Sequence, residues 1–344
     1  MKDRDVKPVR SRSLRTVQIF ALVALSAVSA ELLSAYSGST GHASSILFEV
    51  VFFAALYGAP AVLVREVARR AGWGWDSLLL LMTAMAIAQA CLIDQSLFSR
   101  EYHGYAGWAT THQATLLPAF GFSAYNAYNF LLGHVIFSFG APVALAEAWR
   151  PETASERWLG RTGLIVTAGA YATAAMMIVS DPESRNASAI QLFASSALAL
   201  GCLTLAYLCG KRHQRKANRE VGAHDPASSV GAIFGITLTI ACLRNFGGEN
   251  WSGFVVGAGV TIIAGVLIYV AARRLAWDVR RIAAIALAFL ISRGLFAFSY
   301  DPLIGSIEPI PKYAHNAIML TVVLAAGWFA LKPSQHRSTT APPR

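Results

Sequence analysis

Charge is what this chain has little of. Of its 344 residues, 14% are Asp, Glu, Lys or Arg, against about 25% in an ordinary soluble domain. With 55% hydrophobic residues and a mean hydropathy of +0.47, the chain cannot cover an apolar core with a water-facing shell. Long polar segments are missing too, apart from the two tails, which excludes an appended soluble domain. Cysteine is scarce: Cys91, Cys202, Cys209 and Cys242 all lie in apolar runs, without metal-ligand spacing, so packing is their expected role. Gly-rich phosphate loops, nucleophile elbows and paired zinc motifs do not occur. His42, His103, His112 and His315 are not spaced as metal ligands either. No metal set and no cofactor can be read from the pattern.

What is present is a succession of apolar runs, each near the roughly 20 residues that cross a bilayer. They fall at about 16–36, 44–64, 75–98, 123–149, 162–180, 188–210, 228–243, 251–272, 279–298 and 313–331. The expected fold is all-α: a polytopic transmembrane bundle of about ten helices. A basic cytoplasmic tail at 1–15 precedes it and a cytoplasmic tail at 332–344 follows. The net charge of +10 does not indicate nucleic acid, because the basic residues sit in small groups between apolar runs. Ten spans with the N-terminus inside place 24 of the 29 Lys and Arg in cytoplasmic segments. Four (Arg100, Arg185, Arg244, Lys312) fall outside, and Arg293 lies within a run. That bias is the positive-inside rule, and it predicts a multi-pass protein of a bacterial plasma membrane. The first run also has the form of a secretory signal, with Val28-Ser29-Ala30 as its cleavage site. The run continues past Ala30 and nine more follow, which favours a retained helix.

Charges inside a bilayer are costly and usually mark a polar cavity or a buried pair. At 1.5 Å per residue, Glu31, Glu49, Asp94 and Arg293 lie roughly 20–27 Å from the inner boundary, so one polar cluster in the outer half is expected. Its functional form is a cavity with Arg293 as anion anchor and the acids as proton or cation sites. Its structural form is an Arg293 pair with Glu31 or Glu49 that only ties helices together. The run 123–149 is the one most loaded with polarity. Asn126, Phe130, His134 and Ser138 are spaced by four and share a ridge. Pro142 cannot donate to the Ser138 carbonyl, which leaves a kink and a proton or ligand position beneath His134, unless that histidine bonds a neighbouring helix. The expected ligand residues are therefore Glu31, Glu49, Asp94, Asn126, His134 and Arg293. Glu147, near the inner interface, is expected to snorkel into water. Gly-Ala-Pro occurs at 58–60 and again at 140–142, each time followed by a glutamate, Glu66 and Glu147, either a trace of an internal repeat or a chance recurrence in a chain rich in Ala and Gly whose flanking residues do not align.

Leu92-Ile93-Asp94-Gln95-Ser96-Leu97-Phe98, with Gly133-His134 and Pro142-xxxx-Glu147-Ala148, resembles a group of bacterial multi-pass membrane proteins. Phe130-xxx-His134 is also similar to the second motif of the CPBP intramembrane proteases. That resemblance implies a water-activating Glu-Glu-xxx-Arg motif on an earlier helix. The corresponding place reads Gln89-Ala90-xxx-Asp94, so the resemblance implies a member without the protease chemistry. Three roles follow: a transporter-like or lipid-handling protein with an outer polar site for a small molecule or lipid; a membrane-embedded enzyme using His134 with an acid; or a non-catalytic subunit that meets a partner helix through Gly253-xxx-Gly257, a spacing that allows close helix approach.

Overall fold

The computed structural model describes residues 9–35, 40–217, 229–275, 277–300 and 307–332. Lys2, Arg4, Lys7, Arg219, Asp301 and the tail beyond Lys332 lie outside these. All ten expected runs are helical. They are α1 (Val9–Ala30), α2 (Ala43–Arg70), α3 (Trp75–Ile93), α5 (Ala124–Ala148), α6 (Arg161–Ser180), α7 (Ala189–Ala217), α8 (Val230–Leu243), α9 (Trp251–Arg274), α10 (Val279–Phe296) and α11 (Pro309–Leu331). A short α4 (Trp108–Ala114) and a two-residue antiparallel pair, Leu116–Leu117 with Phe122–Ser123, lie in the segment between α3 and α5.

Among the described residues, eight of these helices are long and apolar enough to cross a membrane by length and composition. α8 has 14 residues, about 21 Å at 1.5 Å per residue, which is short of a hydrocarbon core of about 30 Å. α10 has 18 residues and carries Arg280, Arg281 and Arg293. Helix starts follow local chemistry. Ser123, Ser229, Asn250 and Asp278 each cap their helix by accepting an N–H from the first turn. Pro309 and Pro311 sit in the first turn of α11, where they lose no helical hydrogen bond.

α5 lies at the centre. Its Leu145 and Ala144 belong to a core with Leu25 of α1, Leu290 of α10 and Val323 of α11. Its Phe139 and Val143 belong to a second core, with Val62 of α2 and Met82 of α3. Within the most apolar window of α1 and of α3, 56% is buried, against 6% for α6 and 11% for α9. The outer helices present Ile165, Ile190 and Ile262, apolar side chains that only lipid would solvate favourably.

Three of the central helices widen from α to π geometry, at Ala54–Gly58, Ala88–Ile93 and His134–Gly140. Two of the π segments end at a Gly-Ala-Pro sequence, so the apparent repeat has a structural counterpart. Pro60 and Pro142 withhold the donors that Leu56 and Ser138 carbonyls would use, and the ring crowds the preceding turn. The Ser138 carbonyl does not stay free, as the sequence had implied. It accepts from the Ser26 hydroxyl of α1, and the Phe137 carbonyl accepts from Ser29 Oγ at 2.5 Å. Gly253 and Gly257 are also engaged within the chain. A Cβ on Gly253 would strike the Gly248 backbone, and one on Gly257 would lie 3.2 Å from the Tyr128 ring. Gly253 thus packs on the chain's own 247–248 turn and Gly257 on Tyr128 of α5.

Candidate functional site

Two polar regions stand at opposite ends of the bundle. One, at the basic end, corrects the expectation for Glu147. The helix of α2 runs on to Arg70, through residues expected to form a loop, and this brings Arg65 and Arg69 to α5. Glu147 does not snorkel: it is 0% exposed. Arg65 Nε donates to Glu147 Oε1 at 3.0 Å, and Arg69 Nε and Nη2 grip the two carboxylate oxygens at 2.7 Å each. Arg65 Nη1 donates to Glu66 Oε1 at 3.2 Å and to the Glu156 carbonyl at 2.5 Å, and Nη2 donates to the Ala154 carbonyl at 2.6 Å. Its guanidinium carbon lies 3.7 Å from the centre of the Trp158 ring. Glu66 in turn accepts from Arg70 Nε at 2.9 Å and from the Trp158 backbone N–H. Arg65, Glu66 and Glu147 are fully buried and hydrogen-bonded, with the partly exposed Arg69 and Arg70 at the rim, so this cluster clamps α2, α5 and the 150–160 segment. It offers no place for a ligand.

The other region is a cavity of about 500 Å³ at the end of the bundle that carries the aromatic 94–122 segment. Four of the six expected residues line it: Glu31, Asp94, His134 and Arg293. The π segment that begins at His134 forms part of its wall, and π segments are frequent at functional sites. Asn126 is buried behind the wall, and Tyr125 and Asn129 take its place there. Glu49 lines a separate outer groove with Ser44, Ser45 and Phe48. Residues that the sequence reading passed over complete the cavity. Arg244, at the end of α8, stacks 5.5 Å from Tyr128 and 5.8 Å from Phe137, while Arg293 stacks 4.4 Å from that same Phe137 ring. Arg293 Nη2 also donates to the Ala30 carbonyl at 2.8 Å. Arg244 Nη1 is buried without a hydrogen-bond partner among the described residues. The available signal for Arg244 was that it is the lone basic residue between 229 and 272.

The acidic side of the cavity lies under the aromatic segment. Asp94, one residue beyond the end of α3, accepts from Ser96 N at 2.9 Å and Ser96 Oγ at 2.7 Å. Burial pushes its carboxyl up to about 6, against those two hydrogen bonds. The next residue, Gln95, turns the chain with φ of 51° and receives the Ala187 N–H at 2.8 Å. Tyr102 stacks on Trp108 at 4.9 Å, with Tyr105 edge-on to both. Burial raises the Tyr102 and Tyr105 hydroxyls. Nearby carboxylates raise them further, Asp94 for Tyr102 and Glu31 for Tyr105. Two arginines, Arg244 at the end of α8 and Arg293 of α10, thus share one cavity with two acids, Glu31 and Asp94.

His134 bonds within its own helix, Nδ1 to Ser138 Oγ at 3.0 Å, and its ring lies 5.4 Å from Tyr57. Gln89, at the place of the protease-like motif, is fully buried and accepts from Tyr171 Oη at 3.3 Å. Among the described residues no group of three or more His, Cys, Asp or Glu is placed to hold a metal ion. Compared with protein families, with curated proteins and with solved structures, the chain gives no match.

Proposed function

We propose that this is a multi-pass protein of a bacterial plasma membrane that binds a small anionic or zwitterionic molecule from the outer side, in a transporter-like or lipid-handling role. Ten spans, with both termini and the Arg65–Glu147 end in the cytoplasm, are the arrangement that the Lys and Arg bias supports. The aromatic segment and the cavity then face outward. The observation that carries the reading is Arg244. A guanidinium nitrogen buried in a membrane protein without a hydrogen-bond partner among the described residues carries a desolvation cost of several kcal/mol or more. An anion in the cavity would remove that cost. Arg293 on the other side of Phe137 gives the anion a second donor, and Glu31 and Asp94 give a cationic group its counter-charge.

An enzymatic role would have His134 engage an acid, and its hydrogen bond goes to Ser138 instead. The test is thermal unfolding of the detergent-purified protein titrated with phosphoethanolamine, which offers a phosphate to the arginines and an ammonium to the carboxylates. A saturable rise in Tm is expected, as for any ligand of the folded state alone, together with its loss in the Arg244→Gln/Arg293→Gln double variant. A rise that the double variant keeps, or no rise at all, contradicts the reading.

A further inference from the structure

The cavity and the outer groove on α2 share an apolar wall whose chemistry is not that of a water-soluble ligand. None of the residues in the first half of α2, Ala43–Phe53, is buried. Phe52 and Phe53 line both the inner cavity and the outer groove of Ser44, Ser45, Phe48 and Glu49. The rings are continuous from one to the other. Phe48 stacks on Phe52 at 6.1 Å, Phe52 meets Phe53 edge-on at 5.3 Å, Phe53 stacks on Tyr57 at 5.7 Å, and Tyr57 meets His134 at 5.4 Å. The i, i+4 pairs follow one helix face, and the Phe52–Phe53 step moves the series to the next face just before the π segment. The outer end is bounded by Leu47 and Val51, 69% and 66% exposed. Exposed apolar side chains on a membrane helix face acyl chains. Ser44, Ser45 and Glu49 stand at the end of α2 nearest the headgroup level.

We infer that the ligand is an aminophospholipid of the surrounding bilayer, which reaches the cavity sideways along α2 with its head inside and a chain on the Phe48–Phe52–Phe53–Tyr57 series. The inference rests on the reading of the cavity as an anion and zwitterion site. Charge complementarity selects this occupant. Its phosphate meets Arg244 and Arg293, and its ammonium, the end of the molecule farthest from the chain, meets Glu31 and Asp94 within. Its chain needs an apolar path that stays continuous with lipid, which the ring series provides. A phosphate or phosphoamine from water would use the head site alone and gain nothing from the rings.

Titration calorimetry on the full-length protein in maltoside micelles separates these cases. The probes are phosphoethanolamine and a lysophosphatidylethanolamine with the same head. The lysolipid is expected to bind at least about tenfold more tightly. The Phe48→Leu and Phe48→Ser variants, changed only in the outer groove, are expected to lose most of that advantage while they bind phosphoethanolamine as the wild type does, which also shows that they are folded. The Arg244→Gln/Arg293→Gln variant should lose both ligands, which excludes simple partition of the lysolipid into micelles as the signal. Equal affinity of the two probes, or a lysolipid advantage that survives the phenylalanine changes, overturns the sideways path and leaves the head site standing. Failure of both probes to bind, or binding indifferent to the arginines, overturns the cavity reading and this inference with it.

Discussion

Glu147→Gln should destabilise the protein by about 3–5 kcal/mol, the range for removing one partner of a buried ion pair. Arg65, Glu66 and Glu147 are all 0% exposed, and Arg69 is nearly as buried. The carboxylate accepts three guanidinium hydrogen bonds, one from Arg65 and two from Arg69. A glutamine at that place keeps one acceptor oxygen and turns an NH2 toward donors. Two cations are then left in a dry site with less than the charge that balanced them. Unfolding of purified protein in mixed micelles measures the loss. A double-mutant cycle with Arg69→Met should be strongly non-additive, because the second change removes a charge already stranded by the first. A loss for Glu147→Gln within about 0.5 kcal/mol, the scatter of surface substitutions, would mean that the cluster is hydrated and does not hold the basic end together.

The second large effect is expected at Gly58. A Cβ there would lie 2.7 Å from both the Cα and the carbonyl oxygen of Val23. Those are backbone atoms of α1 and cannot rotate away. Gly58→Ala must therefore push α1 from α2 at the level where α1 also donates from Ser26 and Ser29 to the widened turn of α5. Overpacking of this kind costs about 1–3 kcal/mol. The same unfolding measurement reads it. Gly169→Ala, in a helix position where nothing lies within 4 Å, is the control and should be neutral or slightly stabilising. Equal behaviour of the two variants would show that α1 and α2 are not in backbone contact.

How far this architecture was legible in the sequence varies along the chain for physical reasons. The run 123–149 was read to within a residue of Ala124–Ala148, because a Ser123 cap begins it and Trp149-Arg150 ends it. A disturbance at Pro142 was legible as well, since a missing N–H is a local fact. Its form, a π segment shared with α2, was not, and the donor that satisfies the Ser138 carbonyl comes from Ser26, 112 residues away in the chain. Arg65 and Arg69 looked like loop residues because the partner that lets them stay in a buried helix, Glu147, comes from another helix. The depths of Glu31, Asp94 and Arg293 followed from helical rise alone, and they do line one cavity. Glu49 shares their depth but sits on the outer groove, because depth does not fix the direction in which a side chain points. Arg244 escaped notice because α8 is short, which moves a residue counted as loop into the cavity wall.

The central claim is an outward-open chamber that holds a ligand. Asn129, on its wall, tests it most directly. Asn129→Cys is placed in a chain whose Cys91, Cys202, Cys209 and Cys242 are replaced by alanine, and a small membrane-impermeant methanethiosulfonate is added to right-side-out and to inside-out vesicles. Modification is expected only in the right-side-out vesicles, and it should be slowed at least about tenfold by saturating phosphoethanolamine, as simple occlusion of the site requires. Modification only from the cytoplasmic side, or at a rate that phosphoethanolamine leaves unchanged, would contradict it.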